Sequence, residues 1–203
     1  MQGGLLADRD LCLHPSLPGA ELTLWPHWLE AGEADPLLHR LQADIPFTQH
    51  RLRLFGREVD APRLSCWVGD PGASYRYSGA RFAPQPWTPA LSALRERVQV
   101  ACAATFNSVL VNLYRDGDDA MGWHSDDEPE LGPDPIIASV SLGAQRRFRL
   151  RARDGSDAKL DLDLPHGSLL CMAGATQRRY RHALPRSRRV TQARLNLTFR
   201  RIV

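Results

Sequence analysis

A chain of 203 residues, 43% hydrophobic and 24% charged, has the composition of an ordinary globular protein with one well-cored domain, which excludes disordered and fibrous classes. No run of 18 or more apolar residues occurs, so no membrane partner is expected, and the opening MQGGLLADRDLCLHPSLPG lacks the basic and apolar regions of a secretion signal. The net charge of +3 hides an asymmetry, because residues 144–203 carry +11 and residues 1–143 carry −8.

Lys159 is the only lysine, so the basic end is built from arginine. Two readings stay open: an arginine-rich composition with a solvated basic face, or a polyanionic partner whose phosphates the guanidinium groups would grip. Cys12, Cys66, Cys102 and Cys171 are widely spaced without a CxxC pair. That pattern fits reduced thiols in a cytoplasmic protein (nuclear if the source is eukaryotic) better than a disulfide framework or a zinc knuckle.

In chain order, the N-terminal third reads as irregular and proline-rich. A short helix is expected at about residues 34–43, where Leu37, Leu38 and Leu41 form an apolar stripe. A stronger helix begins at WTPALSALRERVQVACAATF. Thr88 can cap it, Pro89 suits its first position, and Leu91, Leu94 and Val98 share a face. After Phe106 the period changes to two. SVLVNLY, IIASVSLG, RRFRLRAR, KLDLDL, GSLLCMAG and ARLNLTFRRIV make a set of roughly six strands. Helices followed by many short strands predict an α+β chain whose later half is a two-sheet β barrel or jelly roll.

The stretch NLYRDGDDAMGWHSDDEPE surrounds His124 with seven acidic residues. In an extended segment His124 and Asp126, two apart, point the same way and can reach one ion. An imidazole and a carboxylate are two of the three ligands of a 2-His-1-carboxylate iron(II) site, and the third would be a histidine downstream, His166 or His182. A His-x-Asp pair alone is weak, since a solvated acidic turn looks the same. The last strand adds a second element. Leu195, Leu197 and Phe199 share one face and Arg194, Asn196, Thr198 and Arg200 the other. Six residues span roughly 20 Å at about 3.3 Å each, so two arginines leaning inward leave space for a small dicarboxylate held at both ends. Asn112 and Tyr114 share a face of the strand that enters the His-x-Asp loop.

With N-x-Y at 112–114, H-x-D at 124–126, His182, and R-x-N-x-T-x-R at 194–200, the sequence resembles the AlkB family of Fe(II)/2-oxoglutarate dioxygenases, closest to the branch that repairs duplex DNA. PRLSCWVGD, YRYSG, HSDDEPEL and IASVSLGA extend the likeness from about Leu52 to the C-terminus. The resemblance implies a double-stranded β-helix (jelly-roll) core with flanking helices and an N-terminal nucleotide-recognition segment. It divides the chain into an extension (1–25) and a single dioxygenase domain (26–203), with a recognition lid at about 50–85 and the core at 106–203.

It further implies that His124, Asp126 and His182 bind Fe(II). Arg194 with Tyr114 would hold the distal carboxylate of 2-oxoglutarate, and Arg200 with Asn112 and Asn196 the end beside the keto group. The activity implied is oxidative removal of N-alkyl groups from DNA bases of the 1-methyladenine and 3-methylcytosine type, with release of succinate, CO2 and formaldehyde. A flipped base would stack on Tyr77, with Tyr75, Ser78 and Glu128 as polar partners and Phe55 as the wedge that enters the base stack. Arg146–Arg153 and Arg178–Arg189 supply candidate phosphate contacts. The expected partner is alkylated DNA, double- or single-stranded, with RNA as an alternative, and the chain is expected to act as a monomer. A protein-modifying 2-oxoglutarate hydroxylase and a non-enzymatic jelly-roll binding module are the rival classes.

Overall fold

The computed structural model describes residues 11–203 apart from 55, 56, 74, 78, 79 and 83, and side chains outside 52–57 and 74–83. The first half contains β1 (Glu21–Trp25), α1 (Ala31–Asp44), β2 (Arg51–Leu54), β3 (Arg57–Asp60), β4 (Leu64–Gly69), β5 (Tyr75–Tyr77), β6 (Ala80–Phe82) and α2 (Pro89–Cys102). The second contains β7 (Ser108–Tyr114), β8 (Met121–His124), β9 (Ile137–Gly143), β10 (Arg146–Ala152), β11 (Lys159–Leu164), β12 (Ser168–Ala173), α3 (Thr176–Arg179), β13 (Tyr180–Leu184) and β14 (Arg194–Arg200).

Two antiparallel sheets form the body, as expected of a jelly roll. The large one runs β1-β12-β9-β14-β7-β4 and the small one β11-β10-β13-β8. Alternation along β14 explains how they sit. Leu195, Leu197 and Phe199 are fully buried on the helix side, in one cluster with Val109 and Val111 of β7 and Leu91, Leu94 and Val98 of α2. Arg194, Asn196, Thr198 and Arg200 face the other way, into the space between the sheets. A second core of Phe148, Leu150, Leu162, Leu164, Leu170, Met172 and Tyr180 fills much of that space.

The helix expected to begin at WTPALSALRERVQVACAATF is present as α2. The Leu91 amide donates to Thr88 Oγ1 at 3.3 Å, Pro89 opens the helix, and Ala103 ends it in the left-handed region at φ 47°. The first helix starts three residues earlier than its leucine stripe suggests. α1 takes in Gly32 in its first turn and holds Pro36 inside it. The N-terminal third is less irregular than its prolines imply. β1 pairs with β12 from Glu21↔Ala173 to Trp25↔Leu169, and β4 pairs with β7. Residues 21–25, read as the end of an extension, therefore form an edge strand of the large sheet.

β8 and β13 stand outside the six strands expected after Phe106, and they are the two that carry the histidines. Neither MGWH nor YRHAL alternates, so their extended form comes from pairing. β13 is held between β10, with Leu150↔His182, and β8, with His182↔His124.

Candidate active site

His124 ends β8, Asp126 follows two residues later, and His182 lies mid-β13 directly across the ladder from His124. Their ligand atoms all lie within 4.8 Å of one another. The two Nε2 atoms are 3.1 Å apart, and His182 Nε2 is 3.7 Å from Asp126 Oδ2. His124 Nδ1 is 2.8 Å from the Gly122 carbonyl, which can only accept, so the ring proton sits on Nδ1 and the Nε2 lone pair faces the shared point.

Protonation favours metal binding. Burial pushes His182 down to about 3, helped by the neighbouring His124 and opposed by Asp126, so its imidazole is neutral and its contact with Asp126 is not an ion pair. Burial acts to raise Asp126, but the guanidinium charge and hydrogen bond of Arg200, with the His182 and His124 rings beside it, outweigh it and hold the carboxyl at about 2. Arg200 Nη2 donates to Asp126 Oδ1 at 2.6 Å, which leaves Oδ2 directed at the histidines. Two imidazoles and one carboxylate from three separate places in the chain fit a divalent first-row metal ion.

The same pocket is lined by Asn112 and Tyr114 of β7 and by Arg194, Asn196, Thr198 and Arg200 of β14, with Met121, Phe148, Met172 and Leu184 as apolar walls. Arg194 is 1% exposed. Its guanidinium donates to Ser141 Oγ and Asn196 Oδ1, both neutral, and sits 5.5 Å from the Tyr114 ring centre. No anionic partner reaches it among the described residues, and burial pulls its pKa down to about 10. An isolated buried cation is costly, and a carboxylate-bearing ligand would remove that cost. The cavity thus fits a diacid at this end. Gly143, opposite Arg194 in the β9–β14 ladder, has φ +86°, and a Cβ there would lie 2.4 Å from the Ala193 carbonyl, so only glycine permits this approach.

Eight residues singled out from the sequence line this one pocket: Asn112, Tyr114, His124, Asp126, His182, Arg194, Asn196 and Arg200. His166, the other candidate third ligand, lies elsewhere. Its Nδ1 accepts the Gly143 amide and its Nε2 is 3.2 Å from Asp35. Glu128 precedes the 3-10 turn Pro129–Leu131 and is not among the pocket's lining residues. Phe55 and Ser78 lie outside the described residues; Tyr75 and Tyr77 belong to β5, paired with β6, but their side chains lie outside too. Arg146 is corrected: rather than reaching phosphate, it is 2% exposed and donates to the Asp116, Asp119 and Pro185 carbonyls, joining the two loops beside the pocket.

Sequence reasoning missed three supports. Gln177 of α3 accepts the Asp126 amide at 3.0 Å and donates to Met172 Sδ, Arg63 donates to Asn112 Oδ1, and Ser139 donates to Asn196 Oδ1. Arg63 and Ser139 fall within PRLSCWVGD and IASVSLGA but carry no role there that the sequence shows, Gln177 lies in none of the quoted motifs, and only tertiary folding brings the three to the site.

A facial two-histidine, one-carboxylate site between the sheets of a jelly roll, beside a buried cation awaiting an acid, defines the class of 2-oxoacid-dependent non-haem iron proteins. The comparisons agree. The model of the 2OG-Fe(II) oxygenase superfamily matches residues 21–200. The chain is 40% identical over 195 residues to alpha-ketoglutarate-dependent dioxygenase alkB homolog 3 of Rattus norvegicus, covering 90% of this chain and 64% of that protein. It is also 40% identical over 182 residues to DNA oxidative demethylase ALKBH2 of Homo sapiens, covering 85% and 70%. The solved structure of OsALKBH1 shares the fold at a TM-score of 0.67 and 18% identity, covering 94% of this chain and all of that one. The chain therefore belongs to the AlkB family of the 2OG-Fe(II) oxygenase superfamily, whose cofactor is Fe(II) and whose co-substrate is 2-oxoglutarate. It spans just under two thirds of the length of the alkB homolog 3 proteins it matches.

Proposed function

We propose that this chain is an Fe(II)- and 2-oxoglutarate-dependent dioxygenase that oxidatively removes N-alkyl groups from bases in DNA, with lesions of the 1-methyladenine and 3-methylcytosine type as substrates. The observation that carries this reading is the convergence of His124, Asp126 and His182 in a pocket that also holds the buried Arg194 cation. The similarity to a protein named as a DNA oxidative demethylase supports the choice of substrate.

His124 Nε2, His182 Nε2 and an oxygen of Asp126 would hold Fe(II), and Arg194 would take the distal carboxylate of 2-oxoglutarate with Tyr114 beside it. Arg200, Asn112 and Asn196 would hold the other end. Bound Fe(II) and 2-oxoglutarate supply O2 activation coupled to decarboxylation to succinate, and hence oxidation of an N-methyl C–H bond beyond the reach of any side-chain acid or base. The resulting N-hydroxymethyl group would break down to formaldehyde and the unmodified base, still in the strand. The chain's own part is to fix the ligand lone pairs through Gly122 and Gln177, to neutralise the diacid with buried guanidinium groups, and to wall the site with Met121, Phe148 and Leu184.

Residues 106–203 would serve as the jelly-roll core of a single catalytic domain, and residues 50–85 as the recognition lid, with Phe55 as wedge, Tyr75, Tyr77 and Ser78 against the flipped base, and Glu128 near its exocyclic amine. The protein would act as a monomer in the cytoplasm, or in the nucleus of a eukaryotic source. Formaldehyde and succinate release from methylated oligonucleotides, as single-stranded DNA, duplex DNA and RNA, with and without Fe(II), tests the reading. Iron-dependent release from DNA is expected. Turnover confined to RNA would move the substrate to RNA, and none on any nucleic acid would leave the protein-hydroxylase class.

A further inference from the structure

Three of the four cysteines, Cys12, Cys102 and Cys171, line a single surface cavity together with His14, Glu21 and Thr23. It lies on the side of β12 away from the iron pocket. Met172 lines the iron pocket, whereas Cys171, one residue earlier and so on the opposite face of the strand, lines this cavity. Cys171 sits mid-strand between Thr23 of β1 and Ala138 of β9, and Cys102 is the last residue of α2. Both side chains line this one cavity and bear on each other's ionisation, although 68 residues separate them in sequence. All four cysteines are free thiols. Cys12 has a different neighbour, His14 Nε2 at 3.7 Å, and Cys66 is buried in the helix-side core.

We propose that Cys102 and Cys171 form a redox-active dithiol that a hydroperoxide such as hydrogen peroxide converts to a disulfide, tying the end of α2 to β12. The roles of the two sulfurs differ. Interaction with Cys171, with burial, raises the Cys102 thiol, while interaction with Cys102 lowers Cys171 against the effect of its burial. Of the two, Cys171 is therefore the readier to ionise.

The Cys171 thiolate attacks one peroxide oxygen. The O–O bond breaks, hydroxide leaves and is protonated to water, and Cys171 becomes a sulfenic acid. The Cys102 sulfur then attacks the Cys171 sulfur, the S–O bond breaks, and a second water leaves with the Cys102 proton. Two thiols lose two electrons and two protons, and one peroxide is reduced to two waters. The link closes a long loop across β7 to β11 and joins a helix to a sheet strand, so it favours the folded chain.

The test treats the full chain, with a metal chelator present to suppress iron-driven radical chemistry, with a small excess of hydrogen peroxide. Intact mass and tryptic peptides are then measured. The expected product has lost two hydrogens and joins the peptides 98–115 and 160–178, with a Tm several degrees higher that dithiothreitol reverses. Cys12→Ser should leave the cross-link intact, and Cys102→Ser, at the half-buried end of α2, should abolish it and leave Cys171 to accumulate as sulfenic or sulfinic acid. A link through Cys12, oxidation of wild-type Cys171 without a cross-link, or unreacted thiols would each overturn the proposal.

Discussion

The two oxygens of Asp126 have separate tasks. Oδ1 accepts from Arg200 at 2.6 Å, and Oδ2 faces His182. With the backbone amide also fixed by Gln177, the ligand can turn neither its carboxylate nor its main chain. Supports of this kind typically change metal affinity by 10- to 100-fold. Gln177→Ala is accordingly expected to weaken Fe(II) or Co(II) binding by about tenfold or more while the fold persists, read by metal titration; unchanged affinity would remove Gln177 from the site. Arg194 supports a prediction of opposite sign for stability. Its charge is 1% exposed without an anion among the described residues, so Arg194→Met should leave the ligand-free Tm unchanged or higher. The same substitution should raise the 2-oxoglutarate requirement by roughly 10- to 100-fold, since hydrogen bonds to charged groups contribute about 1.5–3 kcal/mol. A drop in ligand-free Tm with an unchanged requirement would contradict the assigned role.

At the scale of elements, helix α2 and strand β14 were legible in sequence because their patterns are local. A capping threonine, a proline at the first position, and alternation of leucine with arginine and asparagine each announce themselves within a few residues. Thr88→Ala should cost about 1 kcal/mol and Leu94→Ala about 2–5 kcal/mol, both measured by urea unfolding, because the first removes a cap and the second opens a cavity at a 3% exposed position. β8 and β13 were legible only in part, RRYRHAL as a candidate strand edge and His124–Asp126 as an extended segment. Their strand state depends on partners elsewhere in the chain, β10 and β13 about thirty residues apart and β8 and β13 more than fifty, and the iron ligands sit on them for the same reason, since cross-strand pairing sets His124 opposite His182. The motif His-x-Asp could be found in sequence, but the choice between His166 and His182 rested on family resemblance, and the ladder now places only His182 against the pair.

Across the whole molecule, the +11 charge of residues 144–203 is less available than its sum implies. Arg146, Arg194 and Arg200 are buried, and Arg147, Arg149, Arg153 and Arg178 pair with Asp163, Asp161, Asp127 and Asp134. Arg186, Arg188 and Arg189 are exposed in the turn region after β13, close in sequence to Leu184 of the pocket wall. If they meet phosphates, replacing all three by Gln should flatten the dependence of log K for duplex DNA on log salt by about 2–3 units of slope, measured by fluorescence anisotropy. An unchanged slope would assign this basic end to solvation alone.

The central claim is that His124, Asp126 and His182 hold one ferrous ion beside a diacid seated on Arg194. An anaerobic spectrophotometric titration of the protein with Fe(II) and 2-oxoglutarate tests it most directly, through the visible charge-transfer band of an iron-chelated 2-oxoacid. The band is expected only when both are present, at one equivalent of iron, and should vanish in His182→Ala. A band that survives that substitution, or none in the wild-type protein at saturating iron and co-substrate, would contradict the claim.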